Sequence, residues 1–149
     1  MIRHINHIGI AVPSLTDQIP FYRDVLGLTF LGEEVVEEQK VKVAMFKCGE
    51  VKIELLEPTS PESPIAKFLE KKGTGIHHIA YETDNLEGKL ASLKDDGVRL
   101  IDETPRDGAH GTRIAFIHPA SSGKILTELC QHGGEDPVRT VRGAGYALG

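Results

Sequence analysis

Nowhere in this sequence does an apolar run approach the ~20 residues needed to span a bilayer, so no membrane partner is expected. Cysteine is equally scarce. Cys48 and Cys130 are the only two, too few for a disulfide framework, and they form no CxxC pair. Both are read as free thiols in a reducing compartment. Cationic residues are outnumbered: 17 Lys and Arg stand against 22 Asp and Glu, a formal net charge of -5. The basic residues are scattered, and Lys71-Lys72 is the only adjacent pair, which argues against nucleic acid as a partner. At the N-terminus the short apolar run enters a turn at Pro13 rather than a small-residue cleavage site, so no signal-peptide layout is read there and a cytoplasmic protein is expected. The 149 residues suit a single domain, 1-149, or two small half-domains sharing a core.

What the chain does have is a repeat. Asn6-His7-Ile8-Gly9-Ile10 resembles His77-His78-Ile79-Ala80-Tyr81 at an offset of 71 residues. At the same offset Leu15, Ile19 and Tyr22 match Leu86, Leu90 and Leu93, and Val43-Ala44-Met45-Phe46 matches Ile114-Ala115-Phe116-Ile117. Ile53-Glu54-Leu55 then matches Thr127-Glu128-Leu129 at 74. The three extra residues fall in a stretch containing Pro119 and Gly123, a turn, where insertion is tolerated.

Each half reads as strand, helix and three strands. In the first, residues 4–12 form a strand, and Ser14 opens a helix whose apolar face is Leu15, Ile19, Tyr22 and Leu26. Pro20 should kink that helix and Gly27 should end it. Strands follow over 28–36, 41–47 and 51–57, with Gly49-Glu50 as a hairpin turn. In the second half, a strand over 76–83 precedes a helix over 85–96 opened by Asp84, and strands lie near 98–102, 112–118 and 124–131. A linker helix over 64–72, capped by Ser63 and stopped by Gly73, joins the halves. The expected fold is α+β: two tandem βαβββ modules, about 3–58 and 75–131 with the linker at 63–73, forming a curved mixed sheet. The tail, 132–149, is glycine-rich and reads as mobile or loosely packed.

A histidine beside an apolar run, or a glutamate on a strand, says little alone. The repeat places His7 and His78 at the start of the halves and Glu54 and Glu128 on their last strands. Strand phase sets each glutamate opposite its apolar chain neighbours, away from the helices and toward the concave face of the sheet. A duplicated fold joined edge to edge brings the four together. Two neutral imidazoles and two carboxylates carry about -2, matching one divalent cation such as zinc, cobalt, nickel, manganese or iron(II). Without it, two facing buried carboxylates would repel and one would take up a proton. The other histidines are not assigned to metal: His77 should face the helices, His4 precedes its strand, His118 begins a turn and His132 starts the tail. His110, in Gly108-Ala-His-Gly111, either lines the cleft or is solvated.

This pattern resembles the vicinal oxygen chelate superfamily, which includes glyoxalase I and the bleomycin resistance proteins. Within it, longer stretches resemble the methylmalonyl-CoA epimerase family. They are His7-Ile-Gly-Ile-Ala-Val-Pro13, Ile53-Glu-Leu-Leu-Glu-Pro58, Ser63-Pro-Ile-Ala-Lys-Phe-Leu69, Gly75-Ile-His-His-Ile-Ala80, the run from Gly108 to Pro119, and Leu126-Thr-Glu-Leu129. The match covers roughly residues 3–131, most of a single domain.

The resemblance implies an isomerase with one divalent ion per chain (Co, Zn, Ni or Mn). Its substrate would be an acyl-CoA whose C2 proton lies between a thioester and a carboxylate, moved through an enolate. Inversion needs an acid–base group on each face. Glu128 is the first candidate base, and Glu54, or a metal-bound water, serves the other face. One family member carries a further glutamate, as second base, in the strand corresponding to 41–46, but that position falls on or near Val43 here, which leaves the second base open. Gln39 matches a family glutamine that contacts substrate, or else it is a solvated hairpin tip. Ser121, Ser122, Gly123 and Lys124 offer hydroxyls, N–H groups and charge to a phosphate, or form a plain surface turn. Family analogy also implies a homodimer. The alternatives are a glyoxalase I-like lyase acting on a glutathione hemithioacetal, an iron(II) dioxygenase and a metal-free drug-sequestering protein. The pair of glutamates disfavours the dioxygenase, and the retained ligand set disfavours the drug binder.

Overall fold

The computed structural model describes residues 1–132; the tail expected to be mobile lies outside the described residues, apart from His132. Among the described residues the fold is α+β, with eight strands in one mixed sheet and three α-helices. In chain order these are β1 (Ile2–Ala11), α1 (Leu15–Pro20), β2 (Thr29–Val36), β3 (Val41–Cys48), β4 (Val51–Pro58), α2 (Pro64–Lys72), β5 (Gly75–Thr83), α3 (Leu86–Asp95), β6 (Arg106–Asp107), β7 (Thr112–Ile117) and β8 (Thr127–His132). The strand order is β2-β3-β4-β1-β5-β8-β7-β6. Two compact units divide the chain: His7–His77, and Met1–Asn6 with His78 onward.

In the first unit β1 pairs parallel with β4, and β4, β3 and β2 continue antiparallel. Val12, Leu15, Ile19, Ala44, Phe46 and Leu55 pack as the core under α1. Phe46 is fully buried, with the rings of Phe30 and Tyr22 at 5.3 and 5.7 Å. Phe46→Ala should lower the unfolding free energy by about 3–5 kcal/mol in urea denaturation, the usual cost of emptying an aromatic core site. A loss under ~1 kcal/mol would mean this core is loosely packed.

Pro20 does more than kink its helix. Having no N–H to give the preceding turn, it ends α1, and the chain continues as a π-helical turn, Phe21–Val25, in which the Leu26 N–H reaches the Phe21 carbonyl at 2.9 Å. Gly27 then turns the chain at φ 80°.

The second unit repeats the register. Ala80 stands beside Glu128 as Gly9 stands beside Glu54, and Phe116 opposes Glu128 as Met45 opposes Glu54. Even the helix starts correspond. The Leu15 N–H donates to Glu57 Oε1 at 2.7 Å, and the Leu86 N–H donates to Gln131 Oε1 at 2.8 Å. Each ties an otherwise unpaired helix-terminal donor to the last strand of its unit. Leu86, Leu90, Ala115, Ile117 and Leu129 form the core under α3.

Three sequence expectations change. The cap of α3 is Asn85, not Asp84: Asn85 Oδ1 accepts the Gly88 N–H at 3.0 Å, while Asp84 faces the N-terminal ammonium at 3.3 Å. Residues 98–102 form no strand beyond a single bridge, Leu100 to Ile117. There the Asp102 carboxylate accepts the Phe116 N–H at 2.9 Å, so a side chain takes a ladder partner's place, and β6 forms farther on, at Arg106. The last strand starts at Thr127 rather than 124, because Lys124 adopts φ 71° in the preceding turn. Among the described residues, no helix is long and apolar enough to cross a membrane.

Candidate metal centre

His7 leaves β1 on the face opposite Ile8 and Ile10, and Ile10 packs against the core under α1. Glu54 sits on β4 between Ile53 and Leu55, which also face that core. His7 Nδ1 and Glu54 Oε2 are 3.6 Å apart, and both residues are buried. In the second unit, His78 Nε2 and Glu128 Oε1 are 3.1 Å apart, and both are buried. Around Glu128 on the same face lie Ala80, Ile114, Phe116 and Cys130, an apolar wall. Phe116 sets its ring at 80° to the His78 imidazole with centroids 5.8 Å apart, which limits how far that imidazole can turn.

Ligand atoms of His7, His78 and Glu128 all lie within 4.8 Å of one another. Donors held at about 2.0–2.2 Å in a tetrahedral set are roughly 3.3–3.6 Å apart. The trio, already within 4.8 Å, therefore closes on one ion by side-chain shifts of at most about 1.5 Å. Two imidazoles and a carboxylate are the donor chemistry of zinc, cobalt, nickel or manganese. Burying such charge-bearing groups without a compensating cation is costly. A divalent metal fits the residues present. Glu54 is not part of the 4.8 Å trio; within its own unit its Oε2 lies 3.6 Å from His7 Nδ1.

The remaining candidates are placed as follows. Gln39 lies in a short turn, Glu37–Gln39, half-buried, with its carbonyl accepting the buried Ser63 hydroxyl at 3.4 Å. Ser122 donates its hydroxyl to Ile125 O at 2.6 Å, so it is committed within its own loop, and Lys124 is exposed. His110 falls in the Ala109–Gly111 turn, and its side chain lies outside the described residues. His77 meets the Phe68 ring of α2 at 5.0 Å, as its phase implied. Cys48 is exposed and Cys130 is buried. Val43 is buried on β3. Directly opposite it on β2 stands Glu34, half-buried, which the sequence did not single out.

A second polar cluster was missed altogether. Buried Glu82 accepts from the Asn6 amide at 2.9 Å, lies 3.8 Å from Cys130 Sγ, and meets His132 Nδ1 at 2.9 Å. Burial pushes its carboxyl upward, but hydrogen bonding and charge from His132, with the Asn6 amide, outweigh this and hold it below the usual carboxylate range. A lowered carboxyl stabilises the fold above its unfolded value of about 4.3, and that contribution is lost as pH falls through the folded value. Glu82→Gln should therefore cost about 1–3 kcal/mol at pH 7. The gap from the wild type should close in urea titrations below ~pH 4. A pH-independent gap would rule out the charged form as its cause. At the repeat offset Glu82 corresponds to Ala11, so the duplication carried no signal for it.

With the donors and register in place, comparison identifies the class. The model of the glyoxalase/bleomycin resistance protein/dioxygenase superfamily matches residues 6–116, and the chain belongs to that superfamily. Within it, the chain is related to the methylmalonyl-CoA epimerases. It is 40% identical over 128 residues to the human mitochondrial methylmalonyl-CoA epimerase, covering 85% of this chain and 73% of that one. It is 52% identical to the uncharacterized protein YqjC of Bacillus subtilis over 90% of this chain and 96% of that one. Among solved structures, a variant of Streptomyces coelicolor methylmalonyl-CoA epimerase in complex with 2-nitronate-propionyl-CoA matches with a TM-score of 0.86. It is 39% identical, with 90% of this chain and 100% of that chain covered.

Proposed function

We propose that this protein is a metal-dependent epimerase that interconverts (R)- and (S)-methylmalonyl-CoA by moving the C2 proton. The observation that carries the reading is the meeting of His7, His78 and Glu128 within 4.8 Å, buried beside an apolar wall. The kinship with methylmalonyl-CoA epimerases supports an acyl-CoA as the substrate class. The nitronate bound by the Streptomyces relative has a trigonal C2, the geometry that a deprotonated methylmalonyl thioester would adopt.

His7, His78 and Glu128 would hold the ion, with Glu54 as fourth ligand beside His7. When bound, a divalent ion supplies Lewis-acid stabilisation of negative charge on the thioester oxygen. Glu128 takes the C2 proton onto a carboxylate oxygen; the C–H electron pair delocalises into the thioester carbonyl, leaving C2 planar. Return of a proton to the opposite face inverts the centre, and Glu54 is the group we assign to that side. Val43 has no proton to give, so it serves neither face of C2. The apolar wall around Glu128 keeps water from competing for the proton.

The test is deuterium wash-in at C2 of methylmalonyl-CoA from D2O, run beside turnover of methylglyoxal with glutathione. Exchange without lyase activity supports the epimerase. Lyase activity without exchange would replace it with the glyoxalase I-like reading.

A further inference from the structure

Arg106 is not explained by the ligand set. It lies on β6 directly opposite Ile114, whose side chain belongs to the apolar wall with Ala80, Phe116 and Cys130. By strand phase its side chain shares the face of Glu128 and His78. Its guanidinium carbon lies 5.6 Å from the centroid of the Phe116 ring, and that ring abuts His78. The side chain is 43% exposed, so it fronts solvent from beside the site. Its orientation is set from behind: Nε faces Asp102 Oδ1 at 3.2 Å, while Asp102 Oδ2 accepts the Phe116 backbone N–H at 2.9 Å. One carboxylate oxygen on Nε occupies one of five guanidinium N–H donors.

We infer that Arg106 is a substrate-binding residue, gripping an oxyanion of the acyl thioester as it lies across Phe116. The inference rests on the epimerase reading. A guanidinium held over an aromatic ring is pre-organised, so little entropy is lost when it closes on a carboxylate or phosphate. The fold alone does not call for a cation here. The strand-pairing counterpart in the other unit, opposite Val43, is Glu34, of the reverse charge. The substrate carries oxyanions of two kinds, the acyl carboxylate and the phosphates of coenzyme A, and both suit the same fork of donors.

The experiment compares wild type, Arg106→Gln and Arg106→Lys on three ligands: methylmalonyl-CoA, the phosphate-free methylmalonyl-pantetheine, and propionyl-CoA as a carboxylate-free competitor. With methylmalonyl-CoA, R106Q should raise KM at least ~10-fold, the loss expected of a charge-assisted hydrogen bond. kcat should fall far less, and R106K should recover part of the loss. If the partner is a phosphate, the inhibition constant of propionyl-CoA rises in parallel and KM for the pantetheine thioester stays put. If it is the carboxylate, the reverse holds. Either pattern supports the inference. Unchanged KM and inhibition constants in R106Q, or a fall in kcat and thermal midpoint alone, would overturn it and leave Arg106 a structural clip for Asp102. Should R106Q fail to fold, Arg106→Met carries the same comparison, and wild-type affinities in R106M would overturn the inference too. A wild type without exchange at C2 would overturn the epimerase reading and this inference together; an active wild type with an indifferent R106Q overturns the inference alone.

Discussion

Glu128→Gln should reduce deuterium exchange at C2 of methylmalonyl-CoA by about 10²–10⁴-fold, the range that positioned acid–base groups contribute. The substitution keeps the shape of the side chain and one carbonyl oxygen, so packing against Phe116 and Cys130 survives. What it removes is the group that accepts the proton. A neutral amide is also the weaker ligand, so metal content must be measured in the same preparation, and rates compared at saturating metal. Loss of exchange with metal still bound assigns Glu128 the base. Exchange within threefold of wild type would eliminate it and move the role to Glu54. Glu54→Gln provides the complementary case. If Glu54 serves the opposite face, wash-in from one epimer should survive better than full inversion, because one side of C2 still has its base.

How much of this was written in the sequence depends on what the duplication covers. The offsets of 71 and 74 carried His7 onto His78 and Glu54 onto Glu128, and the pairing of Gly9 with Glu54 and Ala80 with Glu128 follows them residue for residue. Helix α2 matched its expected bounds because Ser63, Pro64 and Gly73 are local signals that depend on nothing distant. Reading failed where a tertiary partner decided. Asp102 replaced a strand with a side-chain bond to Phe116, and Asn85 displaced Asp84 as cap because Asp84 was drawn to the N-terminus. Glu82, Arg106 and Glu34 were invisible for a related reason. Their repeat counterparts are Ala11 and Val35 for the first two, and Pro105 for Glu34, so no pairing of like with like marked them. The duplicated positions hold the metal donors; the unduplicated ones are where the two units differ in charge.

The second large effect concerns the ion itself. Saturation at 100 times the dissociation constant adds about 2.7 kcal/mol to a protein that binds metal only when folded. For a chain of this size that corresponds to a fall in Tm of roughly 5–10 °C when the metal is stripped by a chelator. Readdition of cobalt, zinc, nickel or manganese should restore Tm, and the ion giving the largest rise identifies the preferred metal without any activity measurement. His78→Ala separates a specific site from loose surface binding. It deletes a buried donor whose Nε2 lies 3.1 Å from Glu128, and leaves one imidazole and one carboxylate of the trio. Its Tm should no longer respond to chelator or metal, and its metal content by elemental analysis should fall well below one ion per chain. His77→Ala, which alters the neighbouring ring packed on Phe68, should keep full metal dependence even if it lowers Tm. If the chelator leaves wild-type Tm unchanged while metal content is already zero, then the imidazoles and carboxylates are holding each other by hydrogen bonds alone. The proton transfer assigned to Glu128 would then have to proceed without a cation to stabilise the charge.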